Sequence, residues 1–138
     1  MHLLVEEAIS QDLQVSQKAH KSPTGSTYDH YEMKHEEDEY CGVSILRAGD
    51  SMVDPIMQLI PGITIGKILI QRDEKTSQPI FFYQKQVQDL KSKKRVFLLD
   101  PMLATGGSAS MAIQQIKKSG VKAENITFIN LVSCDEGI

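Results

Sequence analysis

The chain has 138 residues, enough for one ordinary domain and too few for two well-cored ones. Apolar residues make up 41% and charged residues 24%, and 15 basic against 18 acidic side chains leave a net charge of -3, which offers no general attraction to nucleic acid or to an anionic membrane. No segment nears the roughly 20 apolar residues of a membrane span, the start MHLLVEEAIS lacks a secretory pattern, and Cys41 and Cys134 are too few for a disulfide scaffold; the expectation is one reduced, cytoplasmic, globular domain over 1–138.

Leu3, Leu4, Ala8 and Ile9 place an apolar stripe on a short N-terminal helix, with Glu6 and Glu7 beside it. Leu13, Val15 and Gln17 alternate with polar neighbours as a strand does. Lys21 to Gly25 supplies a turn, and Thr27 to Met33 returns as a second strand, which predicts a hairpin. The charge run from His35 to Glu39 reads as a solvated turn; a metal site of His35 with Glu36 or Asp38 is the weaker alternative, because adjacent residues in such a run rarely converge.

From Cys41 the texture changes. Cys41 to Leu46, Ile63 to Ile70, Arg95 to Leu99 and Ile126 to Val132 are compact apolar runs, rich in β-branched residues and suited to strands covered on both faces. Met52, Ile56, Leu59 and Ile60 share one face of a helix that Pro55 restricts to starting near Asp54. Ala109, Ala112, Ile113 and Ile116 follow helical spacing, ended by Lys117, Lys118 and Gly120. Strand-helix-strand alternation with short links predicts an α/β fold with a mostly parallel sheet flanked by helices. Pro79 to Gln86 adds a further extended run, expected to be antiparallel or at an edge.

The most informative stretch runs from Val96 to Ala109: a buried strand, Asp100, a tight loop, and a helix whose first turn is rich in Gly, Ser and Thr. In a parallel sheet, ligands bind outside the carboxyl ends of the strands. Free amides, the helix dipole and the hydroxyls of Thr105 and Ser108 then converge on a volume suited to a phosphate. Gly106 and Gly107 let the backbone approach without a Cβ in the way. An ordinary strand-to-helix link with a Ser/Thr cap is the bland alternative. No Lys lies in Ala104 to Ser110, which excludes a Walker loop, and the spacing of Gly106-Gly107 excludes a dinucleotide fingerprint. Cys41 and Cys134 read as buried small apolar groups, and His2, His20, His30 and His35 receive no catalytic role.

Asp100, Pro101, Met102, Leu103, Ala104, Thr105, Gly106, Gly107 and Ser108 together resemble the phosphoribosyl diphosphate (PRPP) motif of the uracil phosphoribosyltransferase family, which has a proline where most phosphoribosyltransferases carry a second acidic residue. Cys41 to Gly49, Ile65 to Glu74, and Phe128 to Val132 with Glu136 to Ile138 agree in the same order. The resemblance implies a type I phosphoribosyltransferase core with an antiparallel hairpin arm, and transfer of ribose 5-phosphate from PRPP to uracil. It gives Arg47 and Arg72 the diphosphate end of PRPP, a task suited to arginine's planar fork. Taken alone, Arg72 to Lys75 also reads as a solvated turn. Asp100 is expected to hold the ribose hydroxyls and favour the developing positive charge.

Mg²⁺ is expected on PRPP oxygens with retained waters, with no dedicated protein metal site. A non-proline cis peptide, if present, belongs within Leu46 to Gly49. The family's Gly-rich uracil-recognition stretch does not occur in the sequence, so a PRPP- or phosphate-binding homologue without transfer is the alternative function, and a different base the third. The resemblance also implies a homodimer or higher homo-oligomer; some members respond to GTP.

Overall fold

The computed structural model describes residues 1–11, 14–34, 39–73, 76, 79–85, 90, 92–93 and 95–137, with the side chains at 14, 15, 32–34 and 72 left out. Leu13, His35 to Asp38, Glu74, Lys75, Gln86 and Ile138 lie outside the described residues. In chain order the elements are α1 (His2–Ser10), β1 (Gln14–Lys21), β2 (Thr27–Lys34), β3 (Tyr40–Leu46), α2 (Val53–Leu59), β4 (Thr64–Arg72), β5 (Pro79–Lys85), β6 (Arg95–Leu99), β7 (Met102–Leu103), α3 (Gly107–Lys118), β8 (Ile126–Ile129) and β9 (Val132–Ser133).

Among the described residues five strands form the main sheet in the order β5-β4-β3-β6-β8. β3 pairs in parallel with β4 and β6, and β6 with β8, whereas β5 runs antiparallel to β4 at one edge. The chain steps outward from β3 to β4 and then returns across β3 to β6. Connections leave β3 and β6 in opposite directions, which opens a crevice at their carboxyl ends where ligands of such sheets bind.

Apolar side chains on β6 alternate between two cores. Val96 and Leu98 pack with Val43, Ile45, Ala112 and Ile116 on the α3 side. Phe97 and Leu99 pack with Val5, Met52, Ile56 and Ile129 on the α1 and α2 side. Helices cover both faces of the sheet, which is why β3 and β6 tolerate nearly continuous apolar sequence. Tyr40 stacks on Phe97 with ring centroids 5.7 Å apart and planes 3° from parallel. On α3 the two small residues Ala109 and Ala112 are buried with Ile116, so the helix lies close to the sheet.

Two expectations shift. The N-terminal helix forms, but it buries Val5 and Ala8 while Leu3 is 80% exposed and Leu4 is exposed too; α1 covers an edge of the sheet, so only a narrow stripe is sheltered. The run from Ile126 to Val132 breaks in two, because β8 is an edge strand and mostly half-buried, and the backbone then turns at Asn130 to meet Pro101. α2 begins at Val53, beside Asp54 as expected, after a 3-10 turn over Ala48–Met52. The hairpin of β1 and β2 forms as expected, closing through Gly25 at φ 89°.

Candidate phosphate and diphosphate site

β6 ends at Leu99, and the chain beyond it encloses a cup of about 30 Å³ lined by Asp100, residues 102–104 and residues 106–109. Gly106 takes a left-handed φ of 75°, and the Ser110 N–H donates the first helical hydrogen bond, to its carbonyl at 2.8 Å. The amides of the first turn of α3 therefore have no partner within the helix. Amides at the positive end of a helix beside a short glycine-rich turn have the chemistry of a phosphate cradle. Thr105 is exposed and, like Pro101, flanks the cup instead of lining it. The Asp100 carboxylate sits at the rim and accepts from the Met102 N–H at 3.5 Å, the outer limit of a hydrogen bond.

A second segment braces the cup from outside. β9 pairs with β7, the N–H groups of Leu131 and Val132 both donate to the Pro101 carbonyl at 3.1 Å, and the Cys134 N–H donates to the Leu103 carbonyl at 3.0 Å. The Cys134 thiol donates to the Ala104 carbonyl at 2.8 Å and is exposed, which corrects the expectation of a buried apolar role. A Cβ at Gly137 would run into the Ala104 carbonyl oxygen, so this turn closes only with glycine. In the cup itself a Cβ at Gly106 would lie 3.4 Å from the Gly137 carbonyl and one at Gly107 3.4 Å from Pro79 Cγ, near ordinary contact distance, so the left-handed φ is what favours glycine at Gly106. Sequence reading missed the brace; Glu136-Gly137 carried a resemblance but no assigned task.

β3 ends at Leu46, and the peptide to Arg47 is cis, within the stretch expected for it. Arg47 is exposed and opens the turn Ala48–Met52. A Cβ at Gly49 would collide with the Leu99 carbonyl oxygen. This glycine therefore lets the turn seat against the end of β6. Asp50 in the same turn accepts from Ser44 Oγ at 3.1 Å and from Lys67 Nζ at 2.7 Å. The Lys67 hydrogen bond is the main reason the Asp50 carboxyl is held below the usual carboxylate range, against the opposing effect of burial. Arg72 closes β4 with its backbone paired to Pro79, whose ring lies against Gly107. Its chain position is thus beside the cup. Cys41 is buried, and burial pushes its thiol up to about 11, too high for a nucleophile at neutral pH.

Among the described residues no three of His, Cys, Asp and Glu gather as metal ligands. The donor set at the cup, one carboxylate followed by proline, fits a magnesium ion that keeps its waters and arrives on a phosphorylated ligand.

A mostly parallel sheet with a strand-to-helix cup at its switch point is the arrangement of type I phosphoribosyltransferases. The solved purine phosphoribosyltransferase from Pyrococcus horikoshii shares this fold at a TM-score of 0.60 with 22% identity, covering 70% of this chain and 62% of that one. The AQ2163 protein from Aquifex aeolicus matches at a TM-score of 0.78 and 31% identity, over 99% of this chain and 62% of that one. The family model described as uracil phosphoribosyltransferase matches residues 1–138, and the chain belongs to that family. It is 46% identical over its full length to the uracil phosphoribosyltransferase of Saccharomyces cerevisiae and 44% to that of Dictyostelium discoideum. The chain spans 62% of the length of each of these relatives. Among the described residues no helix is long and apolar enough to cross a membrane.

Proposed function

We propose that this chain supplies the PRPP-holding part of a uracil phosphoribosyltransferase site, transferring ribose 5-phosphate from PRPP to N1 of uracil to give UMP and diphosphate. The observation that carries this reading is the cup at the start of α3 with Asp100 on its rim, at the same end of the sheet as Arg47. The amides of residues 106–109 hold the 5′-phosphate, helped by the hydroxyl of Ser108. Asp100 accepts hydrogen bonds from the ribose hydroxyls. Arg47 and Arg72 grip the diphosphate, as forked guanidinium groups do.

In the reaction the bond from the anomeric carbon to diphosphate breaks, a bond to N1 forms, and the N1 proton is released. The sugar passes through a cation-like transition state. Catalysis is then positioning plus charge stabilisation, with the Asp100 carboxylate facing the developing positive charge and the arginines facing the departing negative charge. Magnesium carried in on PRPP oxygens would screen the diphosphate charge, and Asp100 would be the residue to meet it. The family resemblance supports a cytoplasmic protein acting as a homodimer or higher homo-oligomer.

Incubating the protein with PRPP, Mg²⁺ and labelled uracil is expected to yield labelled UMP. PRPP-dependent thermal stabilisation without UMP supports the binding-only reading, and neither response overturns the site. Adding GTP to the same assay tests regulation of the kind some relatives show.

A further inference from the structure

We propose that Asp50 is the positioning residue of the Arg47 turn: its carboxylate, held by Ser44 and Lys67, fixes residues 46–49 in the shape that presents the arginine to a diphosphate. This rests on the role given to Arg47 above. Asp50 is tied at three points. Its N–H donates to the Arg47 carbonyl at 3.2 Å, Oδ1 accepts from Ser44 Oγ at 3.1 Å, and Oδ2 accepts from Lys67 Nζ at 2.7 Å. Ser44 is fully buried on β3, a hydroxyl in an otherwise apolar stretch, and Lys67 is its register partner on β4. The carboxylate therefore fastens the turn to the two strands that carry Arg47 and Arg72.

Charge gives the arrangement a second consequence. A bare carboxylate three residues from an anion-gripping arginine would repel the anion, and the contacting Lys67 ammonium cancels that field locally. The pair is about 40% exposed on each side, 39% for Lys67 and 41% for Asp50, and exposed pairs contribute little to global stability. Its effect should then show chiefly in ligand affinity, with the melting temperature moved by a few degrees at most. Removing Lys67 alone leaves the repelling charge, whereas removing both partners leaves a looser but neutral turn.

The test is calorimetric titration of the wild type, Asp50→Asn, Lys67→Met and the double variant with PRPP, with inorganic phosphate as the probe of the cup and melting temperature alongside. Asp50→Asn is expected to weaken PRPP binding roughly tenfold, and Lys67→Met to weaken it further. The double variant should return to the Asp50→Asn level, with phosphate affinity held and melting temperature within a few degrees of wild type throughout. In turnover the loss should fall on KM for PRPP with kcat retained. Wild-type PRPP affinity in the single variants, parallel losses of phosphate affinity and melting temperature, or no recovery in the double variant each overturn the proposal. Equal PRPP binding by the wild type and Arg47→Ala would instead overturn the Arg47 role itself, and the positioning claim with it.

Discussion

After β6 the chain turns through backbone amides and a glycine at φ 75°, while after β3 it turns through a guanidinium, a carboxylate and the ammonium that answers it. Both turns stand at the carboxyl ends of neighbouring strands, and both are seated on a carbonyl through a glycine: Gly137 against Ala104 in one, Gly49 against Leu99 in the other. On the proposed function, one turn holds a fixed terminal phosphate, which needs donors that never change charge. The other is suited to a group that leaves, and long side chains can follow it. The difference predicts that the first is sensitive to shape and the second to charge.

Filling the glycine seats should have the largest effect. Gly137→Val drives a branched side chain into the Ala104 carbonyl, and the distorted cup should lose about 100-fold in affinity for both inorganic phosphate and PRPP. Gly49→Ala displaces the other turn and should weaken PRPP and diphosphate while sparing phosphate. If titration shows Gly137→Val binding phosphate normally, the brace plays no part in shaping the cup. Asp100→Asn keeps the shape but removes charge, so kcat should fall by about 100-fold with PRPP affinity within a few-fold; an equal loss in both would make Asp100 a plain binding group.

Arg47→Ala should cost roughly 30-fold in PRPP affinity, with Arg47→Lys between, because an ammonium lacks the planar fork. Unchanged affinity removes the charge side of the comparison. The smallest effect concerns acid. Lys67 holds the folded Asp50 carboxyl below its ordinary range, so on acidification the unfolded chain takes up this proton first. The stabilisation is complete above the ordinary carboxylate range and disappears as pH falls through that range toward the lower folded value. Wild type should exceed Asp50→Asn by under about 1 kcal/mol at neutral pH. Denaturant titrations should show the gap closing as pH falls below the ordinary carboxylate range, and a gap independent of pH would deny the ion pair its part.

Much of this was legible in the order of residues. The β6–cup–α3 stretch is contiguous, so strand, carboxylate, glycine turn and helix could all be read from Arg95 to Lys118 without tertiary information. The parallel strands and the edge position of β5 followed from apolar runs and their links. What escaped were contacts between distant residues. Ser44, Asp50 and Lys67 meet only because β3 and β4 align in a particular register. Cys134 looked apolar in composition, yet the turn after β9 leaves it exposed against the cup. Leu3 and Leu4 looked like core, and only the placement of α1 at the sheet edge shows why Val5 and Ala8 are chosen.

The Leu99 residue links the two turns in a way that bears on specificity. Its carbonyl is the stop against which Gly49 rests, and its own peptide bond leads into Asp100. The spacing of the two turns is therefore set at a single joint, one seat against a carbonyl and one peptide bond, much as the jaws of a caliper share one slide. In the site proposed above, a ligand whose two charged ends are spaced differently would have to bend this joint to engage both, so discrimination by length is expected to be set within β6.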